Sequence, residues 1–264
     1  MKTLERQRWE VALRALVATL VGVLTSSVSA HAGGVVTPLP AEDQQILAAK
    51  LGPGVVGTAL PSQPVDDPSL FFPLKDRTVP YLVTSGPNST KTQMLGLSQL
   101  KRAAGKTAWR FQLSPTLAGF LRMTPGGDLV MPSVSDEGEG VIVVTTPSNP
   151  FLSKGIKPGE SRSFSQTVSV NHLDDPTDQE YSGSLNGTYT YLGTFQVKVP
   201  AGTYEAVILR LKCEGKVGPA HTQDAAYYLF APRIGVVAMI SQEDVTAFWI
   251  FHIDPSSGKV LMQN

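Results

Sequence analysis

From residue 70 onward the chain is built of short runs rich in Val, Thr, Phe and Tyr, separated by clusters of Gly, Pro and Asn. Such runs, bounded by turn-formers, predict an antiparallel β domain. Several of them alternate well enough to assign faces. In "SRSFSQTVSV", Phe164, Val168 and Val170 fall on one face, with Ser163, Ser165, Thr167 and Ser169 on the other. In "GTYTYLGTFQVKV", Tyr189, Tyr191, Phe195, Val197 and Val199 oppose Thr188, Thr190, Thr194, Gln196 and Lys198. A period of two assigns one face to a core and the other to solvent or a polar lining. The last run, "VTAFWIFHID", is apolar on both faces: Val245, Ala247, Trp249, Phe251 and Ile253 against Phe248 and Ile250. Such a strand needs cover on both sides, so the expectation is a curved antiparallel sheet or barrel-like domain, with or without a covering helix.

Ahead of this domain, Ala41 to Leu51 has the pattern of a short helix. Glu42 and Asp43 in its first turn suit the helix dipole, and Gly52 suits its end. Ile46, Leu47 and Leu51 form an apolar stripe, which implies docking on another surface. The stretch from Pro53 to Pro68 is rich in Pro, Gly and Ser and reads as an extended linker. No segment repeats with a period of 20 to 50 residues, which disfavours solenoids and propellers.

The first 32 residues change the picture from fold to address. Lys2, Arg6, Arg8 and Arg14 precede or open an apolar run that ends near Leu24, too short to span a bilayer, and small residues follow. Ala30-His31-Ala32 fits a signal-peptidase site, and Val28-Ser29-Ala30 offers another two residues earlier. The expected organisation is a signal peptide over 1–32, a short helix and Pro-rich linker over 33–67, and a single antiparallel β domain over 68–264. The expected location is the periplasm or the exterior of a bacterial cell, with nothing spanning the membrane after cleavage. Of the 22 basic and 22 acidic residues, four and two fall in the signal, so the mature chain carries 18 and 20, a net charge of −2. That balance gives no basic stripe for nucleic acid or anionic lipid. The lone Cys213 excludes an intramolecular disulfide. It shares a strand face with Val207, Leu209 and Leu211 and reads as a small buried hydrophobe.

The most patterned stretch is "VKVPAGTYEAVIL". Pro200 sets φ for the first central position of a turn, and Gly202 can take the left-handed conformation that closes a three-residue hairpin with a bulge. The longer stretch "GTFQVKVPAGTYEAVILRL", followed by "YYLFAPRIGVVAM", resembles the paired signature of an uncharacterised group of exported bacterial β-rich proteins with a "VPAGTF" hairpin and a "YAPGVGLV"-like turn. Upstream, "FFPLKDRTVPYLVTSG" and "KPGESRSFSQTV" are similar to that group's opening strand and a later loop. The resemblance implies a β-rich envelope domain without a catalytic site, and it marks Pro200, Gly202, Pro232 and Gly235 as structural positions. Where the group often has Gly, this chain has Arg233.

Catalytic motifs are sparse. There is no G-x-S-x-G, Walker loop or H-E-x-x-H. His172, His221 and His252 are far apart in sequence and form no local metal pair, and His252 reads as a core or rim residue of the last strand. The acidic stretch "NHLDDPTDQE" lacks the spacing of an EF-hand and reads as a solvated loop. Asp224 and Glu205, near aromatic strands, are the nearest approach to a carboxylate pair. The leading expectation is a non-enzymatic exported β domain that binds a small apolar or mixed ligand, or an envelope protein, with no cofactor and no metal. Exposed aromatics, Tyr227, Tyr228 and Phe230, are the candidate binding residues. Two alternatives stand beside it: a secreted hydrolase whose site is assembled from distant residues such as His221 or His252, and a structural or assembly subunit reached through residues 33–67.

Overall fold

The computed structural model describes residues 34–86, 88–101, 107–245 and 256–263. The signal segment, and residues 246–255 with Trp249, Phe251 and His252, lie outside the described residues.

The strands are β1 (Val35–Val36), β2 (Val56–Ser62), β3 (Arg77–Ser85), β4 (Thr92–Lys101), β5 (Thr107–Gln112), β6 (Leu117–Met123) and β7 (Leu129–Asp136). They continue with β8 (Val141–Leu152), β9 (Ser161–His172), β10 (Gln179–Val199), β11 (Gly202–Val217), β12 (Ala220–Ala231), β13 (Gly235–Val245) and β14 (Ser257–Leu261). Helix α1 is Ala41–Leu51, and a four-residue turn of helix, α2, is Pro68–Phe71. The twelve strands β3 to β14 close into one antiparallel barrel. The ring is completed by β14 pairing with β3 (Val260↔Leu82) and by β9 pairing with the first half of β10 (Leu185↔Gln166). Closure removes the unpaired edges that an open sheet of this size would present.

The barrel interior and exterior follow from strand parity. Leu209, Leu211 and Cys213 on β11 pair with Tyr228, Ala226 and Asp224 on β12, and these six face inward. Arg210 and Tyr227, paired with each other, face outward. In β10 the single face expected for Tyr189 through Val199 is divided. Tyr191 pairs with Leu209 but Gly193 pairs with Ile208, so Leu192 is an extra residue opposite one step of β11. An inserted residue turns the following side chains over, and Phe195 and Val197 therefore lie on the face opposite to Tyr189 and Tyr191. Beyond the bulge, β2 replaces β9 as the partner of β10, with Ala59 opposite Phe195 and Val56 opposite Val197. The stretch 53–68, read from its composition as extended, thus carries a strand of the sheet.

Both covers expected for doubly apolar strands are present. In β13, Val236, Val237, Ala238, Met239 and Ile240 are all buried in succession. One side of the strand faces the barrel interior, and α1 lies against the outside of β3, β13 and β14. The helix buries Leu47 and Leu51 almost completely, leaves Ile46 half-buried, and has its Lys50 carbonyl bound by the Thr84 hydroxyl at 2.6 Å. Asp43, one turn before Leu47 on the same stripe, is fully buried as well. It accepts two bonds from Arg210 Nη1, both 2.8 Å, and one from the Tyr227 hydroxyl at 2.7 Å.

One end of the barrel is closed. Residues 65–72 are tied to the loop after β8 through Val65 N–H to the Ile156 carbonyl (3.0 Å) and to the β12–β13 turn through Arg233 N–H to the Leu70 carbonyl (2.6 Å). From this segment Phe72 enters the barrel and meets Phe111 (5.3 Å between centroids), Phe151 (5.2 Å) and Phe230 (6.2 Å), all edge to face. Edge-to-face geometry is the arrangement that aromatic quadrupoles favour. The two turns singled out from sequence lie at this closed end. Val199 pairs with Gly202 across Pro200 and Ala201, one residue shorter than the expected loop, and Gly202 has φ of 140°. Between Pro232 and Gly235 (φ 98°), Arg233 itself holds a φ of 66°. That left-handed value explains why glycine suits the position: an L side chain is strained there.

Candidate functional site: a cavity inside the barrel

The aromatic cluster fills only the closed half of the barrel. Tyr228, whose ring meets Phe151 at 4.9 Å, is the last member of the cluster and also part of the lining of a cavity of about 180 Å³ in the other half. Parity explains the hollow: toward this end the inward positions of β12 and β13 are Ala226, Asp224 and Ser241 where Phe230 and Met239 stand nearer the closed end. Small side chains on a wide barrel leave space that neighbours do not fill. The apolar walls come from Leu117, Met131, Val143, Val168, Leu185 and Leu211.

The charged side chains among the described lining residues are two carboxylates. Asp136, nearly buried, receives Gly138 N–H on Oδ1 at 2.8 Å. Asp224 receives the Thr222 hydroxyl at 3.1 Å, and burial pushes its carboxyl up to about 6. Asn149 Oδ1 is buried with no hydrogen-bond partner. The neighbouring hydroxyls are already engaged: Thr145 with the Pro132 carbonyl and Ser241 with Ser257. Burial pushes the Cys213 thiol up to about 12, with the Asp224 charge adding to the shift, so at neutral pH it is a thiol and a poor nucleophile. It is half-buried and lines the cavity instead of filling a core. Burial likewise raises the Tyr228 phenol to about 12, so it is neutral.

The three aromatics proposed from sequence separate. Tyr228 lines the cavity. Tyr227 is buried on the outer face beneath α1, where it donates to Asp43, and Phe230 is buried in the aromatic cluster. Neither of these two is exposed, which corrects the reading of all three as surface aromatics; covering by α1 and barrel closure are the physical causes. Glu205 and Asp224 do not form a pair. Glu205 stands eight residues from Cys213, the register partner of Asp224, or roughly 26 Å along the strand. His172 and His221 lie at the surface; the His172 ring is 3.9 Å from the exposed Asp178. In the acidic loop, Asp175 accepts from the Thr177 amide and hydroxyl, which lowers its pKa. Among the described residues no three His, Cys, Asp or Glu side chains converge as a metal site. Asp43, Asp136 and Asn149 were missed by sequence reasoning. For Asp43 the signal existed: it stands four and eight residues before Leu47 and Leu51, on the docking stripe.

No protein-family profile matches this chain, and no curated protein does. Among solved structures, a protein of Bacteroides fragilis assigned as exported and of YmcC-like fold is 12% identical, covers 74% of this chain and 98% of its own, and has a TM-score of 0.39. The hypothetical lipoprotein YmcC of Escherichia coli is 10% identical over 76% of this chain and 90% of its own, with a TM-score of 0.40. A protein of Parabacteroides distasonis assigned as a lipoprotein is 11% identical over 74% and 97%, with a TM-score of 0.34. Likeness at this level leaves the function to be argued from the cavity itself.

Proposed function

We propose that this is an exported, non-enzymatic β-barrel that binds a small, largely apolar molecule inside the barrel. The single observation that carries the reading is the cavity of about 180 Å³ with apolar walls and a floor formed by Tyr228. A void of this size is a standing loss of packing for a protein with no use for it, since a cavity destabilises in proportion to its volume. Occupied, it gains roughly 0.8 kcal/mol for each methylene a ligand withdraws from water. Its volume suits a small molecule or the end of an acyl chain; it is below the range usual for drug-sized ligands. Export rests on residues 1–32, with cleavage after Ala30 or Ala32, and the mature chain then comprises the helix and linker region and the β domain. The docking of Leu47 and Leu51 on the chain's own sheet counts against an assembly role in which that helix reaches a partner.

Native mass spectrometry of the mature protein, recovered from the cell envelope without denaturant, tests this. The expected result is a bound small organic mass that organic extraction removes and that is absent from Leu211→Trp, which fills the cavity. No bound mass in the unsubstituted protein, or an equal amount in Leu211→Trp, overturns the reading.

A further inference from the structure

The polar atoms of the cavity restrict what it binds. Two carboxylates, Asp136 and Asp224, line it together with the buried, unpartnered Asn149 Oδ1, and no Lys, Arg or His is among its described lining residues. An ionised carboxylate is acceptor-only; the hydroxyls of Thr145, Thr222 and Ser241 are each bound to another protein group, while the Tyr228 and Ser133 hydroxyls and the Gln242 amide are neutral donors on the same lining. The cavity therefore presents negative charge, with no cation among its described lining residues, in an apolar setting. A ligand that carries positive charge donates hydrogen bonds to these carboxylates and offsets a poorly solvated anion. A buried cation, Lys259, lines an adjoining cavity of about 60 Å³, where its Nζ donates to the Leu113 carbonyl at 2.6 Å.

We infer that the cavity selects an amphiphile whose apolar body carries a protonated amine, over the same body carrying a carboxylate. This rests on the proposal that the cavity binds an apolar molecule at all. The apolar body packs against Val143, Val168, Leu185 and Leu211, and the ammonium group lies against Asp224, with Asp136 and Asn149 Oδ1 as further acceptors. A fatty acid of equal length would bring a second anion to the same carboxylates, and like charges at close range exclude one another.

The test uses the mature protein after organic extraction, titrated by isothermal calorimetry at pH 8 with 1-octylamine, 1-octanol and octanoate. Hydrogen bonds to charged groups predict that octylamine binds about 10- to 100-fold more tightly than octanol, with octanoate weakest. In Asp224→Asn the amide oxygen can still accept from Thr222, and the amine-to-octanol preference is expected to fall about 10-fold while octanol affinity holds, which also reports an intact cavity. Octanoate binding as tightly as octylamine overturns the inference and leaves the cavity reading standing. So does an amine preference that survives in the Asp136→Asn/Asp224→Asn double variant. If none of the three probes binds the unsubstituted protein, the cavity reading itself falls, and this inference with it.

Discussion

The attachment of α1 to the barrel is set by one buried charge. Asp43 is fully buried; both its oxygens accept from Arg210 Nη1 at 2.8 Å, and Oδ1 also accepts from Tyr227 at 2.7 Å. The Arg210 side chain is only 18% exposed, and its Nε is buried without a partner, so the guanidinium depends on Asp43 for its compensation. Asp43→Ala leaves that cation and the buried Tyr227 hydroxyl unpaired together. Breaking one side of a buried ion pair costs about 3–5 kcal/mol, and an orphaned hydroxyl about 1–3 more. The two losses share a partner and do not add, so about 4 kcal/mol is the expected total. For a chain of this size that is a fall of about 8–16 °C in Tm. Replacing both charges with apolar residues of similar volume, Asp43→Leu with Arg210→Met, is expected to recover most of the loss, because desolvation is then no longer required of either group. Urea unfolding followed by tryptophan fluorescence measures both variants, and hydrogen exchange at the amides of 41–51 shows whether α1 detaches before the barrel opens. A loss below 1 kcal/mol in Asp43→Ala, or a double variant as unstable as the single one, refutes the argument that an uncompensated charge is the cause.

Two further substitutions have worked outcomes. Burial raises the Asp224 carboxyl from 3.8 to about 6, so the folded state holds this proton more tightly and stability falls as pH rises from about 4 to beyond 6. Asp224→Asn removes that loss: against the unsubstituted protein it is expected to gain nothing at pH 4 and at most about 3 kcal/mol at pH 8, and a pH-independent difference in urea midpoints would contradict the assignment. Arg233, exposed and held at φ 66°, should gain from Arg233→Gly, which keeps the amide that bonds the Leu70 carbonyl; a rise of about 0.5–1 kcal/mol is expected in thermal unfolding, and a loss would mean that the side chain contributes more than its strain removes.

How much of this was legible in the sequence depends on how local each feature is. Strand class and the covered helix could be read because their signals lie within a dozen residues: the alternation around Phe164 and Val168, and the spacing of Leu47 and Leu51. A barrel-like sheet could be expected from the doubly apolar strands, but not which strands close it, since β14 meets β3 across more than 170 residues, a pairing with no local signature. The bulge at Leu192 was missed for a related reason: Leu192 and Gly193 interrupt the period of two in "YTYLGTFQV", but Tyr191 and Phe195 stay in phase across them, and only the register against β11 shows that they lie on opposite faces. The same limit separated Tyr227 from Tyr228. Adjacent residues on a strand always face apart. Which of the two looked into the barrel depended on where α1 docked, and that depended on Asp43, whose position in the first helical turn also fits a helix-dipole role. The cavity shows the limit most clearly. Asp136 and Asp224 come from strands five places apart in the ring and share a lining only because the sheet closes. Read singly, each was an ordinary polar residue near the end of a strand. Their common exposure to one apolar space makes charge a criterion for what can enter, and that criterion belongs to the barrel as a whole.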